Sequence, residues 1–149
     1  MAIIASETYT ATSAPIQHAA IAAFNGGEDI EEYLVQSRRV LKVVGEYMHR
    51  RLTDMGAVVH KPEGAFYLFP DFSGFRDQLA RKDIKTSQAF CTALLENTGV
   101  AILPSSDFGF VPDHLGARLA FVDFDGAAAL NLAGGDYADQ ELDDSYIQQ

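Results

Sequence analysis

The chain has 149 residues, 48% hydrophobic and 21% charged, an ordinary globular composition at about one domain's length and enough to bury a core. A formal net charge of −10 and a pI near 4.6 repel phosphate backbones and anionic lipid, which argues against nucleic acid and membrane surfaces as partners. The single cysteine, Cys91, excludes an internal disulfide framework, no apolar run has the length of a membrane helix, and Met1 to Ala5 lack the basic flank of a secretory leader; a reducing, cytoplasmic setting is expected.

Ser13 is placed to cap a helix from Ala14 to about Phe24, with Pro15 in the first turn and Asn25-Gly26-Gly27 ending it. Asp29 then caps a long helix predicted over Ile30 to Met55, roughly 39 Å at 1.5 Å per residue. Its apolar stripe is Leu34, Leu41, Val44, Met48, Leu52 and Met55, and Gly56 stops it. Arg38, Arg39, Lys42, Glu46, Arg50 and Arg51 fall on the other faces and read as a solvated surface. The period then drops from 3.6 to about 2, predicting strands over Ala57 to His60 and Ala65 to Phe69 joined as a pair by the Lys61 to Gly64 turn.

Asp71 to Lys85 reads as a surface excursion with a short helix around Phe75 to Ala80. Thr86 or Ser87 caps a helix to about Asn97 that closes at Gly99. Cys91 lies in the apolar repeat of that helix with Phe90, Leu94 and Leu95, as a buried small hydrophobe. Val100 to Leu103 and Ala117 to Val122 supply two further strands, and Asp125 caps a helix over Gly126 to Leu132. Beyond it lies an acidic segment, 136–149, in which a helical pattern starts at Leu142. Helices and short strands in this order predict an α/β fold: a three- to four-stranded, mostly antiparallel sheet covered by helices on one face, with a long connecting helix near the N-terminus.

Few residues carry a chemical signature of their own. His18, His49, His60 and His114 never pair at metal-ligand spacing and read as surface or packing; no Gly-x-Ser-x-Gly elbow surrounds Ser105 or Ser106. Arg118 stands out because it begins the apolar run Leu119-Ala120-Phe121-Val122 just after Gly116. A guanidinium at a strand start can grip a carboxylate through two parallel hydrogen bonds. From composition alone, a structural ion pair with one of the chain's many acids is the commoner outcome.

Three stretches resolve that choice by resemblance. Pro62-Glu63-Gly64-Ala65-Phe66-Tyr67-Leu68-Phe69-Pro70, then Val100 to Pro104 running into Phe108-Gly109, then Ala117-Arg118-Leu119-Ala120-Phe121 fall in the order and spacing of a known family. They resemble the C-terminal small domain of the class I/II aminotransferases of fold type I, which use pyridoxal phosphate (PLP). The resemblance implies that Arg118 binds the substrate α-carboxylate and that Phe108 is a pocket wall. Ser105 departs from the pattern, standing where many members have Gly, so the loop from Pro104 to Gly109 is expected to bend differently. Residues 1–13 look like the segment entering from the large domain, Ser6 to Gln17 matching only loosely.

The family's chemistry needs a Schiff-base lysine, and Lys42, Lys61, Lys82 and Lys85 all lack its Ser-Lys context. The phosphate-binding turn and the Asp that pairs with the pyridine nitrogen are missing too. By resemblance, then, the chain is expected to be the small domain of a PLP-dependent aminotransferase acting on an amino acid and a 2-oxo acid. The large domain of the same polypeptide would supply the lysine, the complete enzyme would be a homodimer, and the chain alone would be inactive. A free-standing carboxylate-binding module and the same domain of a related PLP-dependent lyase are the alternatives.

Overall fold

Helix α1 spans Ala14–Asn25 with Pro15 in its first turn, and it ends where Gly26 adopts φ +74 and returns its N–H to Ala23. The computed structural model describes residues 11–135 and 142–147; Ser6 to Thr10 and the acidic run 136–141 lie outside the described residues. The chain divides into two compact units, Met1–Val35 and Gln36–Gln149.

Helix α2 spans Glu28–Asp54, starting before the expected Asp29 cap, so that Glu28, Asp29 and Glu31 all stand in its first turn. Acids there complement the positive end of the helix dipole, which is why the boundary moves to include them. Its C-terminus closes as a Schellman motif: Gly56, at φ +100, donates to Thr53 O at 2.9 Å and Ala57 donates to Leu52 O at 3.0 Å. Ala57 and Leu52 are both core residues, so the cap also directs the chain into the interior.

The apolar stripe read from sequence captures only one side of α2. Leu41, Val44, Met48 and Leu52 do pack in one core cluster, yet Met55 is 58% exposed. The most buried positions include Val40 and Val43, which belong to a second cluster with Ala133 and Tyr146. That cluster is closed by α5 (Gly126–Gly134) and α6 (Asp144–Ile147). The Tyr146 hydroxyl, its pKa raised by burial, donates to Ala129 O at 2.6 Å. Arg39, expected on a solvated face, instead donates to Ala133 O at 2.9 Å, capping the end of α5.

The sheet has three strands, β1 (Tyr67–Leu68), β2 (Leu103–Pro104) and β3 (Ala117–Ala120), in the antiparallel order β1-β3-β2. Register pairs Tyr67 with Ala120, Leu68 with Leu119, Leu103 with Arg118 and Pro104 with Ala117. Because side chains alternate, this register sorts Leu68, Leu119, Ala117 and Pro104 to one face and Tyr67, Ala120, Arg118 and Leu103 to the other. The first face carries the core: Leu68 and Ala117 cluster with Leu52, Phe72, Cys91, Leu115 and Phe121. Helix α4 (Ser87–Thr98) lies on it, capped by Thr86, whose hydroxyl accepts from Ala89 N, and ended by Gly99 at φ +77.

Several strands are shorter than expected. Ala57 to His60 forms no strand but a single bridge, Val58 to Asp71, because the Ala57 N–H is already committed to the helix cap. The expected pairing with Ala65 to Phe69 is replaced by pairing of Tyr67–Leu68 with β3. β2 begins only at Leu103, because Val100 N–H is drawn back to the Thr98 hydroxyl at the helix end. The Asp71 to Lys85 excursion contains a 3-10 turn, Ser73–Phe75, and α3, Arg76–Ala80, pinned by buried Phe72.

Gly45 sits in mid-helix, where glycine costs about 1 kcal/mol relative to alanine. A Cβ there would lie 3.0 Å from Phe121 Cζ and 3.2 Å from Pro62 Cγ. The missing side chain therefore lets α2 meet the end of β3 and the Pro62 turn at close range. Gly45→Val should destabilise the chain by about 2 kcal/mol through overpacking, read as a lower urea midpoint; an unchanged midpoint would show that this contact does not exist in solution.

Candidate functional site: an unpaired guanidinium on the outer face of the sheet

Arg118 is the second residue of β3 and, by the register above, points to the face opposite the core. Its neighbours there are aromatic. The guanidinium carbon lies 4.5 Å from the centroid of the Tyr67 ring and 5.0 Å from that of Phe108. Tyr67 reaches it diagonally across the β1–β3 pair, and Phe108 comes from the 3-10 turn Ser105–Phe108 that follows β2. Among the described residues, ion pairs such as Lys61 with Glu46, Lys85 with Asp83 and His114 with Asp71 form elsewhere, and Arg118 has no acid partner. In a chain of net charge −10, that leaves a cation oriented but not neutralised.

Tyr67 and Phe108 are each 40% exposed, so the face is open to a ligand. A guanidinium held over ring faces makes no conventional hydrogen bond to them, so its N–H donors remain available. A planar carboxylate is the ligand that such donors suit best. A cavity of about 460 Å3 lies elsewhere, between α2 and the Pro62 turn, lined by Leu41, Lys42, Pro62, Ala65 and Phe121. Arg118 is not part of it, and the face it occupies is a surface rather than a closed pocket.

The loop carrying Phe108 is tied down from behind. Ser105 adopts no left-handed backbone, for among the described residues only Ala65 and Asp83 are non-glycine residues with positive φ. The turn expected to suffer from a missing glycine takes its left-handed step at Gly109, φ +85, instead. Ser105 is fully buried, and its Oγ donates to His114 O at 2.8 Å while lying 3.2 Å from His114 Nδ1. His114 Nε2 stands 3.6 Å from Asp71 Oδ2. Partial burial pushes the Asp71 carboxyl up. Hydrogen bonds from the Ser73 hydroxyl and backbone N–H, with His114 and Arg76 nearby, outweigh that and hold it below its usual 3.8.

Sequence reasoning placed Arg118 and Phe108 at the site but gave Tyr67 only a strand role and left Asp71 in a surface excursion. The alternation of β1 was the available signal for Tyr67. None existed for Asp71, whose bridges to Val58 and Gly116 are tertiary. Cys91 is 5% exposed, and burial, with Asp107 nearby, pushes its thiol up to about 11. Among the described residues no group of His, Cys, Asp or Glu could hold a metal ion, and no helix is long and apolar enough to cross a membrane.

Comparison with known proteins gives the family. The family described as aminotransferase class I and II matches residues 1–122. Aspartate aminotransferase of Geobacillus stearothermophilus is 34% identical over 122 residues, covering 81% of this chain and 29% of its own length. The crystal structure of aspartate aminotransferase from Thermotoga maritima is similar with TM-score 0.59 and 29% identity over 92% of this chain and 32% of that one. N-Succinyldiaminopimelate aminotransferase from Mycobacterium tuberculosis gives TM-score 0.58 at 26% identity over 87% and 31%. The chain thus spans less than a third of the length of these relatives.

Family membership implies PLP as cofactor, but the lysines described do not fit the group. A Schiff-base lysine needs a desolvated amine or a neighbouring cation. Lys61 is paired with Glu46 at 2.8 Å, and Lys85 with Asp83 at 2.6 Å, a hydrogen bond that pushes the Lys85 amine up, away from nucleophilic character. Lys42 and Lys82 are exposed.

Two expectations follow. Cys91 should resist alkylation at pH 8 in the native chain and react only after unfolding; fast native modification would contradict its burial. Asp71, depressed in the folded state, contributes stability that is present above its unfolded value and is lost as pH falls through its folded one. Asp71→Asn should therefore flatten the fall in thermal midpoint on acidification below about pH 4, and an unchanged acid limb would show that Asp71 is not so held. On its sequence and its fold, the chain belongs to the class I and II aminotransferases.

Proposed function

We propose that the chain is the small-domain, carboxylate-binding part of a PLP-dependent enzyme that transfers an amino group between an amino acid and a 2-oxo acid. Arg118 receives the α-carboxylate, and Tyr67 and Phe108 form the walls that orient the guanidinium. The Schiff-base lysine and the phosphate cradle come from a large domain of the same polypeptide, and the working enzyme is a homodimer. This chain alone is inactive.

The observation that carries the reading is a guanidinium set between two rings without an acid partner. Each exposed cation–π contact is worth about 0.5–1 kcal/mol, whereas a hydrogen bond to a charged partner is worth about 1.5–3 kcal/mol. A bidentate carboxylate therefore outweighs the contacts that hold the empty arginine, and it can bind without first breaking an ion pair. Gripping a substrate by one end also fixes where its amino group points, and orientation of this kind is a large source of rate in enzymes. Support for a separate lysine-bearing domain comes from the unsuitable lysines described above and from relatives about three times as long as this chain.

In the full-length enzyme, Arg118→Ala should lower kcat/KM for the amino acid by roughly 10- to 100-fold, with PLP absorbance unchanged. Unaltered kinetics would remove Arg118 from the site. Incubating this chain alone with PLP, followed by borohydride reduction and peptide mapping, should label no lysine stoichiometrically. One fully labelled lysine would show that the chain holds the cofactor by itself.

A further inference from the structure

We propose that His114 is a positioning residue for the Arg118 face, acting on Phe108 through two connections. This rests on the reading of Arg118 as the carboxylate site.

The first connection is polar. The only hydroxyl proton of Ser105 is committed to His114 O at 2.8 Å, so Oγ meets Nδ1, 3.2 Å away, with a lone pair. In that arrangement Nδ1 is the donor, which assigns the proton of the neutral ring to Nδ1. Ser105 is the first residue of the turn that ends at Phe108, and it is fully buried, so anchoring it fixes where that turn starts. Asp71 stands 3.6 Å from Nε2 at the other edge of the ring and is itself bridged to Val58 and Gly116. Gly116 leaves the space for the imidazole: a Cβ there would lie 2.5 Å from His114 Cε1 and 3.3 Å from Ser105 Cβ.

The second connection is aromatic. The His114 ring stacks on Phe110 with centroids 4.6 Å apart, and Phe110 stacks on Phe69 at 5.4 Å. Phe69 then meets Phe108 edge to face at 5.5 Å, and the Phe108 ring lies against Arg118. Both routes start at one imidazole and end at one wall of the carboxylate face. Ser105 thus supplies the acceptor that orients the histidine.

The test reads tautomer and ring position apart from activity. In this chain with 15N-labelled histidine, the neutral His114 ring should show its proton on Nδ1, and Ser105→Ala should move it toward Nε2. Arg118 side-chain protons should carry upfield ring-current shifts that shrink in His114→Phe, which keeps a ring against Phe110 but no donor. His114→Asn, whose amide can replace the Nδ1 donor, should retain them. In the full-length enzyme His114→Phe should raise KM for the amino acid about fivefold, the scale of one lost hydrogen bond, with kcat little changed and His114→Asn near wild type. A wild-type proton on Nε2, or Phe and Asn variants that behave alike, would overturn the proposal. If the ring-current and tautomer results hold while Arg118→Ala leaves KM unchanged, it is the carboxylate reading that fails, and with it the functional role of His114.

Discussion

The arrangement turns on a positive charge that the protein orients without neutralising. An arginine paired with an internal carboxylate would be satisfied, and a substrate would have to displace that partner at comparable cost. Ring faces act differently, since they attract the cation through their quadrupoles and leave its hydrogen-bonding edge unfilled. Arg118 between Tyr67 and Phe108 is held this way. A carboxylate then meets an oriented donor edge and has no internal partner to displace.

The short sheet sets which way that guanidinium points. Pairing Leu103 with Arg118 and Tyr67 with Ala120 sends these four residues to the face away from Leu52, Cys91 and Leu115. A slip of one residue would bury the arginine and expose Leu119. The strands are too short to fix register by themselves. Neighbouring contacts do so: Ala117 N–H to Pro70 O, Phe121 N–H to Phe66 O and Ser105 N–H to Gly116 O each lock one end. Gly45 lets α2 close on Phe121 from below, tying the sheet's end to the long helix.

What sequence revealed was what local chemistry dictates. Thr86, Asp125, Gly56 and Gly99 mark helix ends through hydrogen bonds or left-handed backbone that depend on neighbouring residues only, and each is found in its expected role. Arg118 and Phe108 were singled out because they lie in contiguous motifs, and the structure brings them together. Strand extents were not, since Val58 and Leu103 owe their pairing or its absence to hydrogen bonds already committed elsewhere. Val40 and Val43 were missed because a helix covered on two sides shows two stripes, and the sequence pattern of one obscured the other. The Ser105–His114–Asp71 chain joins residues up to 43 positions apart (114 − 71), and nothing in their local context announces it.

Chemically, a face suited to a carboxylate does not define a reaction. Membership of the class I and II aminotransferases, established over residues 1–122, supplies the chemical setting. The most direct measurement is a crystal structure of the full-length enzyme with a substrate-like carboxylate bound. The account predicts two hydrogen bonds from Arg118 to that carboxylate with Tyr67 and Phe108 against the guanidinium plane. A ligand carboxylate bound elsewhere, with Arg118 paired to an acid of the protein, would contradict it.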